Sequence, residues 1–413
     1  MKKEIKLIYL TIGLLILLVF IFIKFPKYRY GYFKRVANLQ FNHPDADVIK
    51  LSDNKILILG NDIKGIPSEI YDPESNEVKY FIFKDNLFIS QRGLALNDHK
   101  ILLINTCNPI ISKCNINTFY DFKNNITVYD LKSKKIVNNY TFKNFDNLII
   151  EDYLCLEDGN VFFILSNHQI KQEAEYYFLL YDIQKNNINI LQKLPKLYRP
   201  KGIRINNDEI LIFQDNSTIL KYNIKKNTLI STNSKTALFN CSYTKIGNKV
   251  LILGTIDSNN NKFNQLYDID QDKIIDTPPM QFDRTYAELN TSGKTRYRTV
   301  PINSHQILIT GGRRNPKSYF GYRGIDIDSA EIYDINTNAF KTIDKSIYTH
   351  DSSELIKLDN NNILLIGGTT NKAGGIEIFQ AGRVGKAGSG SHLHKFSSYK
   401  CYIFKSSILN LNH

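Results

Sequence analysis

The chain has 413 residues, of which 42% are hydrophobic, so it can bury a large core as one big domain or two smaller ones. Its 25 Tyr and 24 Phe, with no Trp, indicate a β-rich interior filled by aromatic and β-branched side chains. A net charge of +13 is compatible with binding to nucleic acid or to anionic surfaces. Because the lysines are scattered along the chain, we assign this charge to a solvated surface and expect no nucleic-acid partner.

The first predicted element is the apolar segment "IKLIYLTIGLLILLVFIFIK". From Ile5 to Ile23 its only charged residue is Lys6, and a helix needs about 20 apolar residues to cross a bilayer. A cleaved signal peptide requires an Ala-x-Ala-like site after its apolar region, and no such site follows this segment. The sequence predicts an uncleaved transmembrane anchor over residues 5–24, between a basic N-terminus (residues 1–4) and a basic juxtamembrane linker (residues 25–43).

The basic residues around this segment leave its orientation open. Counting them alone places the following domain in the cytoplasm, because more Lys and Arg come after the segment than before it. Large domains, however, translocate largely regardless of flanking charge, and a short basic N-terminus before a long apolar stretch is typical of export signals. We therefore expect a single-pass membrane protein whose large domain is extracytoplasmic.

Seven apolar, strand-like runs follow along the chain, each after a turn rich in Asn, Asp or Gly that predicts a β-hairpin. The runs begin at Ile56, Ile101, Val161, Ile210, Val250, Ile307 and Ile363. The sixth and seventh end in the glycine pairs Gly311-Gly312 and Gly367-Gly368. Glycines at such strand ends indicate that the backbone approaches neighbouring chain closely, where a Cβ does not fit.

A second signature follows every run, and in most copies a polar turn and another strand come next. The copies are Tyr71-Asp72, Tyr129-Asp130, Tyr181-Asp182, Tyr222-Asn223, Tyr267-Asp268 and Tyr333-Asp334, with Phe379-Gln380 as the divergent seventh. Each unit therefore reads as four strands. Repeated four-stranded units at a period of about 40–50 residues predict a β-propeller, because one such sheet cannot bury both its faces alone. The sequence predicts seven blades over residues 44–406, followed by a tail of residues 407–413.

This arrangement resembles the kelch repeat family. The resemblance covers residues 47 to about 404 and rests on the apolar runs with their glycines, the Tyr-Asp pairs and connectors such as "LPKLYRP" and "PPMQFDRTY". It implies an all-β, seven-bladed kelch-like β-propeller, here preceded by one N-terminal transmembrane helix. The chain departs from the family's pattern in two ways: only two glycine pairs are complete, and the Trp common on the outer strand is absent.

The closure of the ring has two possible solutions. Residues 399–404 ("YKCYIF") can form the last outer strand, which is the solution we favour on sequence grounds. Alternatively, residues near Lys34 to Phe41 pair there and tie the two termini together.

Arginine is unevenly distributed: six of the 12 arginines fall between Arg284 and Arg323. In a propeller, the connector entering a blade and the loop after the apolar strand emerge on the same face, so these side chains are expected to converge. Guanidinium groups bind carboxylates and phosphates in a bidentate manner, and Tyr adds a stacking surface. The predicted ligand-binding residues are Arg284, Arg296, Arg298, Arg313, Arg314, Tyr319, Tyr322 and Arg323. Arg92, Arg199 and Arg204 are expected on the same face; alternatively, Arg92, Arg199 and Arg284 are framework residues that join blades.

Other chemistry is sparse. Cys107 and Cys114 share one loop and can form a local disulfide if the domain is exported, whereas Cys155, Cys241 and Cys401 read as small buried hydrophobes. No spacing is typical of a zinc site, so no metal and no cofactor is predicted.

The sequence favours a membrane-anchored binding module over an enzyme, with an acidic protein segment or an anionic glycan as its partner. Among kelch-like propellers, copper-dependent galactose oxidases and sialic acid epimerases are enzymes. No copper-ligand pattern is recognisable here, which disfavours an oxidase. The alternative that stays open is an enzyme acting on an anionic carbohydrate at the arginine face, in the manner of a sialic acid epimerase, although no acid or base can be assigned.

Overall fold

The structure is a computed structural model of the full chain. It describes residues 11–16, 32–41, 43, 46–60, 66–84, 92–97, 99–105, 125–142, 148–167, 175–194, 197–215, 217–255, 262–282, 284, 297–314, 325–327, 329–343, 351–359, 362–370, 396–397 and 400–405.

Six antiparallel sheets each contain four strands that follow one another outward in sequence order. The first blade is β2 (Val48–Lys50), β3 (Ile56–Ile58), β4 (Ser68–Asp72) and β5 (Glu77–Phe81); the second is β6 (Gly93–Asn97), β7 (Lys100–Asn105), β8 (Asn125–Asp130) and β9 (Lys135–Thr141). The third is β10 (Leu148–Cys155), β11 (Val161–Asn167), β12 (Glu175–Asp182) and β13 (Asn187–Leu194); the fourth is β14 (Lys201–Arg204), β15 (Glu209–Phe213), β16 (Thr218–Asn223) and β17 (Thr228–Lys235). The fifth is β18 (Phe239–Ile246), β19 (Lys249–Thr255), β20 (Lys262–Asp268) and β21 (Lys273–Thr277); the sixth is β22 (Tyr297–Pro301), β23 (Gln306–Gly311), β26 (Ala330–Asp334) and β27 (Ala339–Ile343). A small ribbon of β24 (Arg313–Arg314) and β25 (Ile325–Asp326) sits in the long loop of the sixth blade.

The remaining sheet, here called the closing sheet, combines both ends of the chain. Its strands run in the order β1 (Tyr32–Asn38), β31 (Lys400–Lys405), β29 (Asn362–Thr370) and β28 (Asp351–Lys357), and β30 (Phe396–Ser397) pairs with the end of β29 as a fifth strand. The predicted count of seven four-stranded blades is therefore wrong: the described residues form six four-stranded blades, and the seventh repeat does not form one by itself. It builds a five-stranded sheet with a strand from the other end of the chain.

The closing sheet also decides between the two solutions for closure. The favoured solution, with residues 399–404 as the outer strand, is wrong, because β31 lies between β29 and β1. The outer position belongs to β1, which pairs antiparallel with β31 from Tyr32↔Lys405 to Asn38↔Lys400. This strand lies within residues 25–43, the segment predicted to be a linker.

The side chains of the Tyr-Asp signature stabilise the hairpin that joins the third and fourth strands of a blade. The Tyr181 hydroxyl donates to Asn186 Oδ1 at 2.8 Å, and the Asp182 carboxylate accepts the backbone N–H of Lys185 at 3.0 Å. Asn186 has a backbone φ of +48°, a left-handed conformation that Asn tolerates better than most residues. The same bond, from Tyr to the residue five positions on, recurs at Tyr71, Tyr222, Tyr267 and Tyr333.

The closing sheet explains the divergent seventh copy. In the complete blades the signature Tyr pairs with the first residue of the apolar run, as in Ile56↔Tyr71 and Val161↔Tyr181. In the closing sheet the partner of Ile363 is Phe404. The seventh equivalent is therefore Phe404, not Phe379, which lies outside the described residues. Because β31 is followed in the sheet by β1 rather than by a hairpin, it needs neither the hydroxyl nor the capping Asp.

The apolar runs form the core between sheets. Ile104 of the second blade and Phe163 of the third, for example, belong to one buried cluster. The predicted role of the strand-end glycines is confirmed where it can be measured: a Cβ on Gly312 lies 2.8 Å from the Arg284 carbonyl oxygen, and one on Gly60 lies 2.2 Å from the Ile66 carbonyl oxygen. Gly311 and Gly312 also have φ values of +71° and +91°.

No helix in the described part of the chain has the length and apolar character needed to cross a membrane. The predicted transmembrane anchor over residues 5–24 and the predicted single-pass localisation are therefore not supported.

Candidate functional site

The first strands of neighbouring sheets contact one another and so lie innermost around the axis. They are β2, β6, β10, β14, β18, β22 and β28. We call the end of the propeller where these strands begin the connector face, and the opposite end, where tight turns join first to second strands, the turn face. The connector face is where the sequence places its predicted ligand-binding residues.

Charged side chains at the start of the innermost strands join one blade to the next. The Asp47 carboxylate accepts the backbone N–H of Gly93 at 2.9 Å and also the hydroxyl of Tyr153, which comes from the third blade. Arg92 donates to the carbonyl oxygen of Ile150 at 2.9 Å. These contacts support a framework role for Arg92, the alternative given by the sequence.

Charged side chains join further pairs of neighbouring blades in the same way. Asp152 accepts the N–H of Gly202 at 2.8 Å and the ammonium group of Lys201 at 3.1 Å. Arg298 binds Glu354 at 3.1 Å, and the two side chains are only 11% and 21% exposed. Arg298, a predicted ligand-binding residue, thus joins the sixth blade to the closing sheet.

The connector that enters the fourth blade is different because it holds side chains out to solvent. Tyr198 is 57% exposed and the Arg199 side chain 51% exposed. Their backbone is clamped from below: the Asp215 N–H donates to the Tyr198 carbonyl at 3.0 Å, and the Tyr198 N–H donates to Gln214 Oε1 at 3.3 Å. Arg199 Nη1 lies 3.5 Å from the carboxylate of Asp215, which is nearly buried.

Arg199 also has an unusual backbone. Its φ is +49°, whereas the other described non-glycine residues with positive φ all lie in hairpin turns and all but one of them are Asn or Asp. Left-handed backbone at an Arg outside such a turn costs free energy and persists only where surrounding contacts impose it. The clamp on Gln214 and Asp215 supplies these contacts, so the exposed Tyr-Arg pair is held in a fixed position.

Beneath this pair lies a group of one thiol and two phenols, of which Tyr297 is buried and Cys241 and Tyr243 are partly buried. Asp215 Oδ1 accepts the N–H of Cys241 at 3.4 Å, and Tyr297 donates to the Leu253 carbonyl at 2.5 Å. Burial, reinforced by the charges of neighbouring groups, raises the pKa of Cys241, Tyr243 and Tyr297 well above their usual values. All three are therefore protonated and neutral near pH 7.

The predicted residues of the sixth blade fall into three groups. Arg284 is 1% exposed; it binds Glu331 at 2.9 Å and the Gly311 carbonyl at 2.7 Å, so it occupies the framework position that the sequence offered as an alternative. Arg313 and Arg314 form β24, in register with Asp326 and Ile325. Arg296, Tyr319, Tyr322 and Arg323 lie outside the described residues, as do Cys107 and Cys114, and stay predictions.

Arg204 and Asp215 are two residues whose positions the sequence did not predict. Arg204 was expected on the connector face but lies at the other end of its strand, where it pairs with Ile210 and approaches Glu157 at 3.7 Å. Asp215 was not singled out, although its place after the apolar run "ILIFQ" makes it equivalent to the glycines and polar residues that end other runs. In the described residues, no three His, Cys, Asp or Glu side chains form a group that could hold a metal ion.

Comparisons with known proteins agree with the fold and go no further. The solved structure of a fungal alcohol oxidase of the AA5 family, in complex with copper, superposes with a TM-score of 0.60 at 10% sequence identity, covering 91% of this chain and 76% of that one. At this identity the similarity shows a β-propeller fold alone. No family model and no curated relative matches the sequence, so the kelch resemblance is not confirmed.

Proposed function

We propose that this propeller, a kelch-like one by its repeat signatures, is a binding module that captures an acidic partner on its connector face. The observation that carries the proposal is the exposed pair Tyr198 and Arg199, held in strained backbone by Gln214 and Asp215. A side chain fixed before binding loses less conformational entropy when the ligand arrives, which favours affinity.

The chemistry of the pair suits a carboxylate or sulfate group beside a flat or apolar surface. The guanidinium group of Arg199 is planar and carries five N–H donors, a geometry that matches carboxylates, and its side chain is 51% exposed. The half-exposed phenol ring of Tyr198 adds a stacking surface. Arg296, Arg313, Arg314, Tyr319, Tyr322 and Arg323 extend this surface if the loops of the sixth blade lie where the sequence predicts. An acidic protein segment and an anionic glycan are the two partner classes that fit.

The thiol and phenols beneath this pair bear on a second candidate function, an enzyme acting on an anionic carbohydrate at the same face. Their position favours this function, and their pKa values weaken it. They place ionisable groups close to Arg199, as an enzyme requires. Their raised pKa values, however, keep them protonated near pH 7, whereas a general base works best with a pKa near the operating pH. Binding is therefore the better-supported function.

The test is capture of ligands by the full chain on an array of sialylated and uronic-acid glycans and on a matching panel of acidic peptides. Replacing Tyr198 by Ala together with Arg199 by Gln is expected to reduce capture at least tenfold. The matched control is Arg204→Gln, which removes a half-exposed arginine from the turn face of the same blade. Capture that is unchanged in the double variant would contradict the proposal, and conversion of a captured glycan to a new product would favour the enzyme.

A further inference from the structure

The turn face contains two clefts at equivalent places between blades. The first cleft lies between the first and second blades, has a volume of about 270 Å³, and is lined in part by Lys50, Ser52, His99 and Lys100. The second cleft lies between the third and fourth blades, has a volume of about 340 Å³, and is lined in part by Glu157, Asp208 and Glu209.

The strand register shows that these residues correspond one to one. Lys100 and Glu209 each precede the apolar run of their blade, and His99 and Asp208 come one residue earlier. The backbone around them is the same: the Leu131 N–H donates to the His99 carbonyl and the Ile224 N–H to the Asp208 carbonyl, both at 2.8 Å. Ser52 and Glu157 are also equivalent. Ser52 comes two residues after Lys50, the strand partner of Ile56, and Glu157 comes two residues after Cys155, the strand partner of Val161.

The two clefts nevertheless have opposite chemistry. Carboxylates and Asn side chains make up the lining of the second cleft. The first cleft has two lysines, an imidazole and a hydroxyl at its rim, and none of its lining residues is Asp or Glu. Its wall includes Leu96 and Ile101, which are 9% and 1% exposed. A cationic rim over an apolar wall matches a ligand that carries one negative charge and a short apolar body.

Hydrogen bonds hold the polar groups of the first cleft in defined positions. Ser52 Oγ lies 3.4 Å from His99 Nδ1, which links the two blades across the cleft. Lys50 donates to the carbonyl of Leu358, which directly follows β28, and this contact uses one of the three N–H donors of its ammonium group. Asp130, the strand partner of Lys100, uses Oδ1 to accept the Ser133 N–H of its own turn at 2.7 Å.

We propose that the first cleft is a binding site for a small amphipathic anion, that is, a carboxylate or phosphate monoester with a short apolar chain. Its volume is slightly below the roughly 300–1,000 Å³ of sites for drug-sized ligands, so the ligand is small. The anionic head contacts Lys100 and His99 at the rim, and the chain packs against Leu96 and Ile101. This site is independent of the connector face and of the function proposed for it.

The test is isothermal titration of the full chain with hexanoate and with hexyl phosphate, which distinguish the two kinds of anionic head. We expect at least one of them to bind, with 1-hexanol about tenfold weaker or more, because it has the same chain without the charge. Hexylammonium is expected not to bind. Absence of binding by both anions, or equal binding of hexanol, overturns the proposal.

Variants locate the site. Lys100→Gln is expected to weaken binding of the anion roughly fivefold, the effect of losing one partly exposed charge pair. The matched control is Lys249→Gln, because Lys249 precedes the apolar run of the fifth blade as Lys100 does in the second, and it is expected to bind as the unchanged protein does. Ser52→Glu, which introduces the residue found in the second cleft, is expected to abolish binding. Equal weakening by the Lys100 and Lys249 variants, or full binding by Ser52→Glu, contradicts the site.

Discussion

The six complete blades and the closing sheet obtain their outermost strands in different ways. Each complete blade ends in a hairpin, and in five of the six the signature Tyr donates to the residue five positions on, as Tyr181 does to Asn186, while Asp182 caps the turn. The closing sheet ends in a strand from the other terminus, and Phe404 replaces the Tyr there. The comparison teaches that the most regular signature in this sequence encodes turns, and that it disappears where no turn is needed.

The two blades that flank the closing sheet share a further feature, a buried glutamate on the third strand. Glu331 in the sixth blade binds Arg284, and Glu69 in the first blade binds His43 Nε2 at 2.8 Å. Glu69 also accepts the backbone N–H of Gln40 at 2.8 Å, and therefore fixes the connector that leads from β1 into the first blade. In each of these two blades, a buried carboxylate thus clamps the connector that leads into the blade.

The largest expected effect comes from breaking one of these clamps. Arg284→Ala leaves the carboxylate of Glu331 buried without its cation, and removing one partner of a buried ion pair costs about 3–5 kcal/mol. The free energy of unfolding, measured in denaturant, is expected to fall by this amount. Arg204→Ala, which breaks a half-exposed pair, serves as the control and is expected to cost less than about 1 kcal/mol. A similar loss in both variants would show that Arg284 is not a clamp.

A smaller effect separates the complete blades from the closing sheet directly. Tyr181→Phe removes the hydroxyl that binds Asn186 and is expected to lower the free energy of unfolding by about 1 kcal/mol. The reverse change in the closing sheet, Phe404→Tyr, is expected to give no gain, since no hairpin follows β31. Stabilisation by Phe404→Tyr would mean that the hydroxyl acts through something other than the turn.

The turn itself can be tested at Asn186, whose φ is +48°. Asn186→Ala is expected to cost about 1 kcal/mol, because Ala is strained at positive φ and lacks the acceptor for Tyr181. Asn186→Gly restores the backbone freedom but not the acceptor, so its loss is expected to be smaller. Thermal unfolding of the two variants side by side gives the order, and a more stable Ala variant would contradict it.

The smallest expected effect is a dependence on pH. The backbone N–H of Lys185 and the Lys185 side chain lower the pKa of Asp182, and the N–H of Ser133 lowers that of Asp130. A carboxylate whose pKa is lower in the folded state stabilises the fold above its unfolded pKa of about 3.9, and this contribution is lost as the pH falls through the folded pKa. Asp182→Asn is therefore expected to lose less stability between pH 6 and pH 3 than the unchanged protein. An identical loss would show that this cap carries no acid sensitivity.

The parts of the fold that could be predicted from sequence are those with a local signal. The apolar runs and the Tyr-Asp pairs locate the strands of six of the seven predicted blades, because their turn chemistry lies within a few residues of each strand. The third strand of the closing sheet was misplaced at residues 376–380, since "IEIFQ" matches the pattern of "AEIYD" more closely than "CYIFK" does. β1 carries neither repeat signature, so residues near Lys34 to Phe41 could be offered only as an alternative closing strand. Its position depends on pairing with residues more than 360 positions away.

In the candidate site, too, some features could be predicted from the sequence and others could not. The sequence offered a framework role for Arg284 as an alternative, and in the structure Arg284 binds Glu331 with Gly312 packed against it. The sequence named Arg199, on this face or as a framework residue, but not Tyr198. The exposure and strained backbone of the pair could not be predicted, because they result from tertiary contacts with Gln214 and Asp215.

The central structural claim is that β1 is the outer strand of the closing sheet, and a native cysteine allows it to be tested directly. Ala37 lies directly opposite Cys401 in the register of β1 and β31. Residues paired in this way have Cα atoms about 4.5–5.5 Å apart, within the range of disulfide geometry. Ala37→Cys is therefore expected to form a disulfide with Cys401 under mild oxidation, seen as a linked pair of peptides by mass spectrometry, and to form none when Cys401 is changed to Ser. Free thiols at both positions after oxidation would contradict closure by β1.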